Sequence, residues 1–244
     1  MKHLLHNRPL LIIAAAESIS SLGSWVTLMA VLSLVVFRGD GTVAQTSGIL
    51  LAGLLPLLIF SPVAGWLADR FDRKWLMIGS ELLSGLVVSG LFFVERLEFI
   101  YALLALQAAC TAVMLPARQS AVPLLVARDE LTRANALLQQ LSSLVRIGGP
   151  LFAGLLLTVL DPHQAILLDA LSFMVSGTIL SRLPSLKGAI STTLQENGGV
   201  QSESSETLTL WTTLRTTPLL GLLYTVAFCA VLVIISFNLF SSIV

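Results

Sequence analysis

Seven times along the chain an apolar run long enough to cross hydrocarbon recurs, with charged residues and turn formers between. The runs are Leu10 to Phe37, Gln45 to Ala68, Trp75 to Val94, Phe99 to about Val122, Ala134 to Leu160, Gln164 to Leu183 and Pro218 to about Phe240. Each holds at least the ~20 residues that a helix rising ~1.5 Å per residue needs to cross ~30 Å of hydrocarbon. The first and fifth are longer and are expected to tilt or run on into the headgroups. A helix satisfies its own backbone groups in lipid, whereas a transmembrane barrel would show alternating segments of ~10 residues. The pattern predicts an all-α polytopic membrane protein.

Composition narrows the function. Hydrophobic residues make up 55% and charged residues 11% of the chain, against roughly 25% charged in a soluble domain. The 14 basic and 14 acidic side chains leave no basic face for nucleic acid. Cys110 and Cys229 lie inside apolar runs, so neither a disulfide framework nor a thiolate metal site is expected. His3 and His6 fall in the terminal tail and His163 in a short loop, which argues against a metal site or a histidine-based triad. No phosphate-binding Gly-x-x-x-x-Gly-Lys-Ser/Thr loop is present. The expectation is a non-enzyme without cofactor or metal, drawing on an ion gradient or a partner subunit.

Lys and Arg set the orientation. With the N-terminus inside, Lys2, Arg8, Arg70, Arg73, Lys74, Arg118, Arg128, Arg133, Arg182, Lys187 and Arg215 are cytoplasmic, which is eleven. Arg38 and Arg96 fall outside, and Arg146 lies within a span. Lys2, His3, His6 and Arg8 ahead of Ala14-Ala15-Ala16 also fit a signal peptide, but the apolar stretch before that site is short and resumes after it. An uncleaved first span is expected.

Pro184 to Thr217 is the only long polar stretch, rich in Ser, Thr, Glu, Gln and Gly. The chain thus divides into a bundle of six helices over 1–183, a flexible cytoplasmic linker over 184–217, and a seventh span over 218–244.

Charges inside apolar runs are the first candidates for chemistry, because a mid-bilayer charge costs at least ~2.5–3.5 kcal/mol and must face a cavity or the bundle interior. Glu17 falls ~12 Å from the inner surface, where it either takes up a proton or pairs with a neighbouring helix. Arg146 lies near mid-span and either lines a central cavity or forms a fixed interhelical ion pair. Asp169 is placed toward the outer face and Glu81 toward the cytoplasmic end, beside the loop's charges. Gly48, Gly53, Gly148, Gly149 and Gly154 allow close helix approach, and Pro150 removes a backbone donor from the fifth span.

Gly65-Trp66-Leu67-Ala68-Asp69-Arg70-Phe71-Asp72-Arg73-Lys74 joins the second and third spans in a tight, charge-dense loop. Acids within a basic loop are unnecessary for topology, which favours a conformational latch over a plain topogenic turn. This segment resembles the signature loop of the major facilitator superfamily, Gly-x-x-x-Asp-Arg-x-Gly-Arg-Arg/Lys. Gly65, Asp69, Arg70, Arg73 and Lys74 match in place, and Asp72 stands at the glycine. That variant, the fifth-span segment Arg146-Ile147-Gly148-Gly149-Pro150-Leu151-Phe152-Ala153-Gly154 and Leu168-Asp169-Ala170-Leu171-Ser172-Phe173 are similar to the drug, macrolide and siderophore exporter branch.

The resemblance implies a major facilitator-like six-helix N-terminal bundle plus the first helix of an otherwise missing C-terminal bundle. It implies inner gating by Gly65, Asp69, Arg70, Arg73 and Lys74, joined by Arg118 at the cytoplasmic end of the fourth helix. It gives Gly149, Pro150 and Gly154 a helix-packing role. Tyr101 to Leu115 carries no charge, so Glu17, Arg146 and Asp169 remain for cavity or coupling roles. The implied function is proton-coupled efflux of a lipophilic or amphiphilic small molecule across the bacterial inner membrane. A lysophospholipid transporter, a half that pairs with another chain, and an inactive structural fragment stand as alternatives.

Overall fold

The computed structural model describes residues 7–37, 42–184 and 186. Six long helices fill them: α1 (Arg8–Leu32, continued by a π-helical turn at Ser33–Phe37), α2 (Val43–Arg70), α3 (Arg73–Leu91), α4 (Leu97–Leu125), α5 (Leu131–Leu156) and α6 (Pro162–Ser181). The seventh span and most of the polar linker lie outside the described residues.

Side-chain caps set several helix starts. Asn7 accepts from Leu10 N at 3.2 Å, and its Nδ2 donates to the Leu125 carbonyl at 2.9 Å, tying the start of α1 to the end of α4. Thr42 and Gln45 form a reciprocal capping box on α2, and Asp161 and Gln164 form another on α6. Asp72 caps α3 by accepting from Lys74 N at 3.0 Å.

The helices pack as a series: α2 on α4, α4 on α3, α3 on α6, α6 on α1 and α1 on α5. Exchanging α1–α3 with α4–α6 maps this series onto itself, the mark of two nested three-helix repeats.

Five helices, α1 to α4 and α6, are long and apolar enough to cross a membrane. The expected fifth span is the exception. Its helix has 26 residues, but Arg133, Gln139, Gln140 and Arg146 dilute it below the apolar composition of its neighbours. It buries a stripe through Ala134, Leu138, Gly149 and Ala153 and leaves Leu144, Ile147, Leu151 and Leu155 exposed. The outer face of α2, from Leu50 through Leu58 to Val63, is likewise bare. Such surfaces suit lipid or further protein, not water.

Buried apolar side chains gather at the two ends of the bundle. Val26, Ala30, Val88, Leu91, Ile100 and Ile166 belong to the cluster near one end. Ile13, Ala16, Met77, Ala117, Ala121 and Leu180 belong to the cluster near the other. A polar layer separates them.

Candidate functional site

The polar layer follows from sequence register. Between Ala16 and Val26, α1 carries Glu17, Ser20 and Ser24; between Ile78 and Val87, α3 carries Ser80, Glu81 and Ser84. Spacings of three and four put these groups on common helix faces. With Arg118 of α4 they line a pocket of about 120 Å³.

Glu17 is its best-held acid. Arg118 Nη1 donates to Glu17 Oε2 at 2.8 Å, with both side chains largely buried. Ser142 of α5 reaches Glu17 Oε1 at 3.5 Å. Three helices remote in sequence therefore converge on one carboxylate. Arg118 also borders a second, wider cleft of about 280 Å³ with Gln119, Asn135 and Gln139, between α4 and α5. The ion pair thus stands between a polar cleft and a polar pocket.

Glu81 differs from its expected place. It does not join the charges of the α2–α3 loop; it is only 4% exposed and turns into the bundle, where Ser20 Oγ lies 3.2 Å from its Oε1. Helix azimuth explains this, because α3 packs against α4 and α6 with Met77, Ile78, Ser80, Glu81 and Ser84 on its buried side.

Asp169 is fully buried and is not among the pocket's lining residues. It accepts from Ser172 Oγ at 3.0 Å and lies flat against α1 at Gly23. A Cβ at position 23 would run into both Asp169 Oδ1 and Ser172 Oγ, so glycine is needed there. Asp169 thus sits in the α1–α6 contact, accepting a hydrogen bond. Arg146 lines no pocket described here; it is exposed on α5 and makes no ion pair among the described residues.

Asp69 and Arg70 are exposed, and Arg70 stacks over Trp66 at 5.4 Å. Lys74 donates to the Leu183 carbonyl and lies 5.9 Å from the Trp75 ring centroid, which ties this loop to the end of α6. Arg73 Nε is buried without a partner. The expected link from Asp69 and Arg73 to Arg118 is not made among the described residues, for a reason of depth. Helix α4 runs through Pro123 to Leu125, which sets Arg118 seven residues, ~10 Å, inside its end. Arg118 meets Glu17 instead.

Of the expected packing residues, Gly149 lies against the Trp25 indole, where a Cβ would clash. Pro150 is accommodated within a continuous α5. Gly65 and Gly154 face open space among the described residues, so neither mediates a close contact there. Sequence reasoning missed Ser20, Gly23 and Ser142. Its available signal was the clustering of small hydroxyl residues inside otherwise apolar runs.

Two acids, one guanidinium and several hydroxyls in an apolar bundle can hold a polar or charged group and exchange protons. Among the described residues no group of three or more His, Cys, Asp or Glu could hold a metal ion.

The sequence model of the Major Facilitator Superfamily matches residues 13–244. The chain belongs to this superfamily. It is 31% identical over 179 residues to YfiS of Bacillus subtilis (strain 168), an uncharacterized MFS-type transporter, covering 73% of this chain and 43% of that protein. It is 30% identical to macrolide efflux protein A of Streptococcus pyogenes, covering 70% and 44%. It is 26% identical to BacE, a putative bacilysin exporter of Bacillus subtilis (strain 168), covering 68% and 42%. The match therefore spans less than half the length of each of these relatives. The exchange symmetry of α1–α3 with α4–α6 is that of the nested repeats in a major facilitator half. Membership also explains the α2–α3 loop: Asp72 takes the signature's glycine position with φ −65°, a conformation any residue adopts, and uses its carboxylate to cap α3.

Proposed function

We propose that this chain is the N-terminal half of an efflux transporter that exports an amphiphilic small molecule by alternating access, coupled to protons. Residues 1–183 form its first bundle, 184–217 link the halves, and 218–244 begin the second. The N-terminus is cytoplasmic and the membrane is the bacterial inner membrane. The carrying observation is the Glu17–Arg118 pair, at 2.8 Å, between the cleft and the pocket. A paired carboxylate there can trade its arginine for a proton as the bundle changes state. The printed names of the macrolide and bacilysin exporters support the direction and the amphiphilic class of cargo. Asp69, Arg70, Arg73 and Lys74 form the gating rim of this reading, and the second half supplies the partners that Asp69 and Arg146 lack here.

The test is efflux in proteoliposomes with an imposed pH gradient, comparing the complete two-half protein, its Glu17→Gln and Asp69→Asn variants, and the 244-residue chain. Gradient-driven export by the complete protein, reduced in both variants and absent from the 244-residue chain, is expected. Glu17→Gln pumping at the parental rate would remove the assignment, and uptake of lysophospholipid instead of drug export would replace the cargo.

A further inference from the structure

Glu81 is an acid for which the pair just described has no use. Its side chain is enclosed by α1, α3 and α6: Ser20 lies beside Oε1, and the α6 backbone comes so close that a Cβ at Gly177 would touch Glu81 Cβ at 3.7 Å. Glu81 Oε2 and the Oγ of Ser176, a residue with no exposed surface, are buried beside each other, and neither has a partner at full hydrogen-bond geometry. Among the described residues Arg118 is the only basic side chain on the pocket, and Glu17 already holds it. The charged groups around Glu81 are thus Glu17 from α1, Arg118 from α4 and Asp169 from α6, so that with Glu81 itself three acids face one base.

We propose that Glu81 is the ligand of a small monovalent cation, a proton or sodium, held between the polar pocket and α6 with Ser20 and Ser176. An uncompensated carboxylate is costly inside a bundle, and a bound cation removes that cost. The hydroxyls beside it, Ser20 and Ser176, offer oxygen, which suits a hard cation or a proton shared among hydroxyls. The inference deepens the transport reading by naming a coupling-ion site. Its test reads binding by a chain that need not transport, so the two fail separately.

The experiment measures radioactive sodium binding at alkaline pH, and proton uptake on an acid step, by the 244-residue chain in nanodiscs. Wild type is expected to bind a single cation at this site and Glu81→Gln none. Ser176→Ala, which keeps the carboxylate, is expected to bind about tenfold more weakly. Sodium binding lost in Glu81→Gln identifies sodium. Absence of sodium binding, with one proton fewer taken up by Glu81→Gln than by wild type, identifies the proton. Equal sodium binding and equal proton uptake in wild type and Glu81→Gln would overturn the site. If thermal unfolding shows Glu81→Gln misfolded, Ser176→Ala decides: affinity equal to wild type overturns the site.

Discussion

Arg118 and Glu17, 101 positions apart, meet at 2.8 Å and so join α4 to α1, two helices that otherwise touch little. The pair is partly screened, its side chains being 12% and 23% exposed, yet it lies between apolar clusters.

Removing one partner strands the other. Arg118→Met is expected to destabilise the bundle by about 3 kcal/mol, the lower end for breaking a buried pair. Glu17→Gln/Arg118→Met together are expected to recover most of that loss. Unfolding of the four members of this double-mutant cycle in one detergent measures the coupling; a double variant whose loss equals the sum of the two single losses would show that the pair contributes nothing.

The contact at Gly23 predicts a contrast between two glycines. Gly23→Ala forces a methyl into Asp169 and Ser172 and is expected to cost about 1–3 kcal/mol. Gly154→Ala meets no neighbour among the described residues and is expected to be neutral or to gain up to ~1 kcal/mol in helix propensity. Thermal unfolding of the two single variants checks the ordering.

Asp72 predicts the effect of restoring the family's glycine. Losing the cap in Asp72→Ala is expected to cost ~1 kcal/mol, whereas Asp72→Gly costs only a few tenths. If Asp72→Gly were the more damaging of the two in thermal unfolding, the capping role would be wrong.

Orientation predicts labelling. A tag in the turn between α2 and α3, beside Phe71, is expected on the cytoplasmic side, and one at Asp161 before α6 on the opposite side. Membrane-impermeant labelling of intact cells and of inverted vesicles reads both. Reagent reaching the two tags from the same side would reverse the helix count.

Much of this architecture is legible one residue at a time. The expected boundaries of α2, α3 and α6 fall within two or three residues of those observed, because caps such as Thr42, Asp72 and Asp161 abut the apolar runs. Glu17 is recognisable because an acid in such a run needs a partner. The identity of that partner is not legible, since the run ending near Val122 hides the extra turn through Pro123 that draws Arg118 inward. Glu81 and Asp169 are visible as charges, but which helix face meets which neighbour depends on azimuth, a property of all six helices together. The same holds for glycines: Gly149 and Gly154 read alike in sequence, yet one faces Trp25 and the other faces nothing described.

The seat of Asp169 on Gly23 has a mechanical consequence. A carboxylate laid flush into the groove of α1 works like a key in a keyway: neither helix can slip one register or roll without driving Asp169 into a side chain. Flexure is expected instead in α2 and α5 at the margins, each held chiefly by a single neighbouring helix.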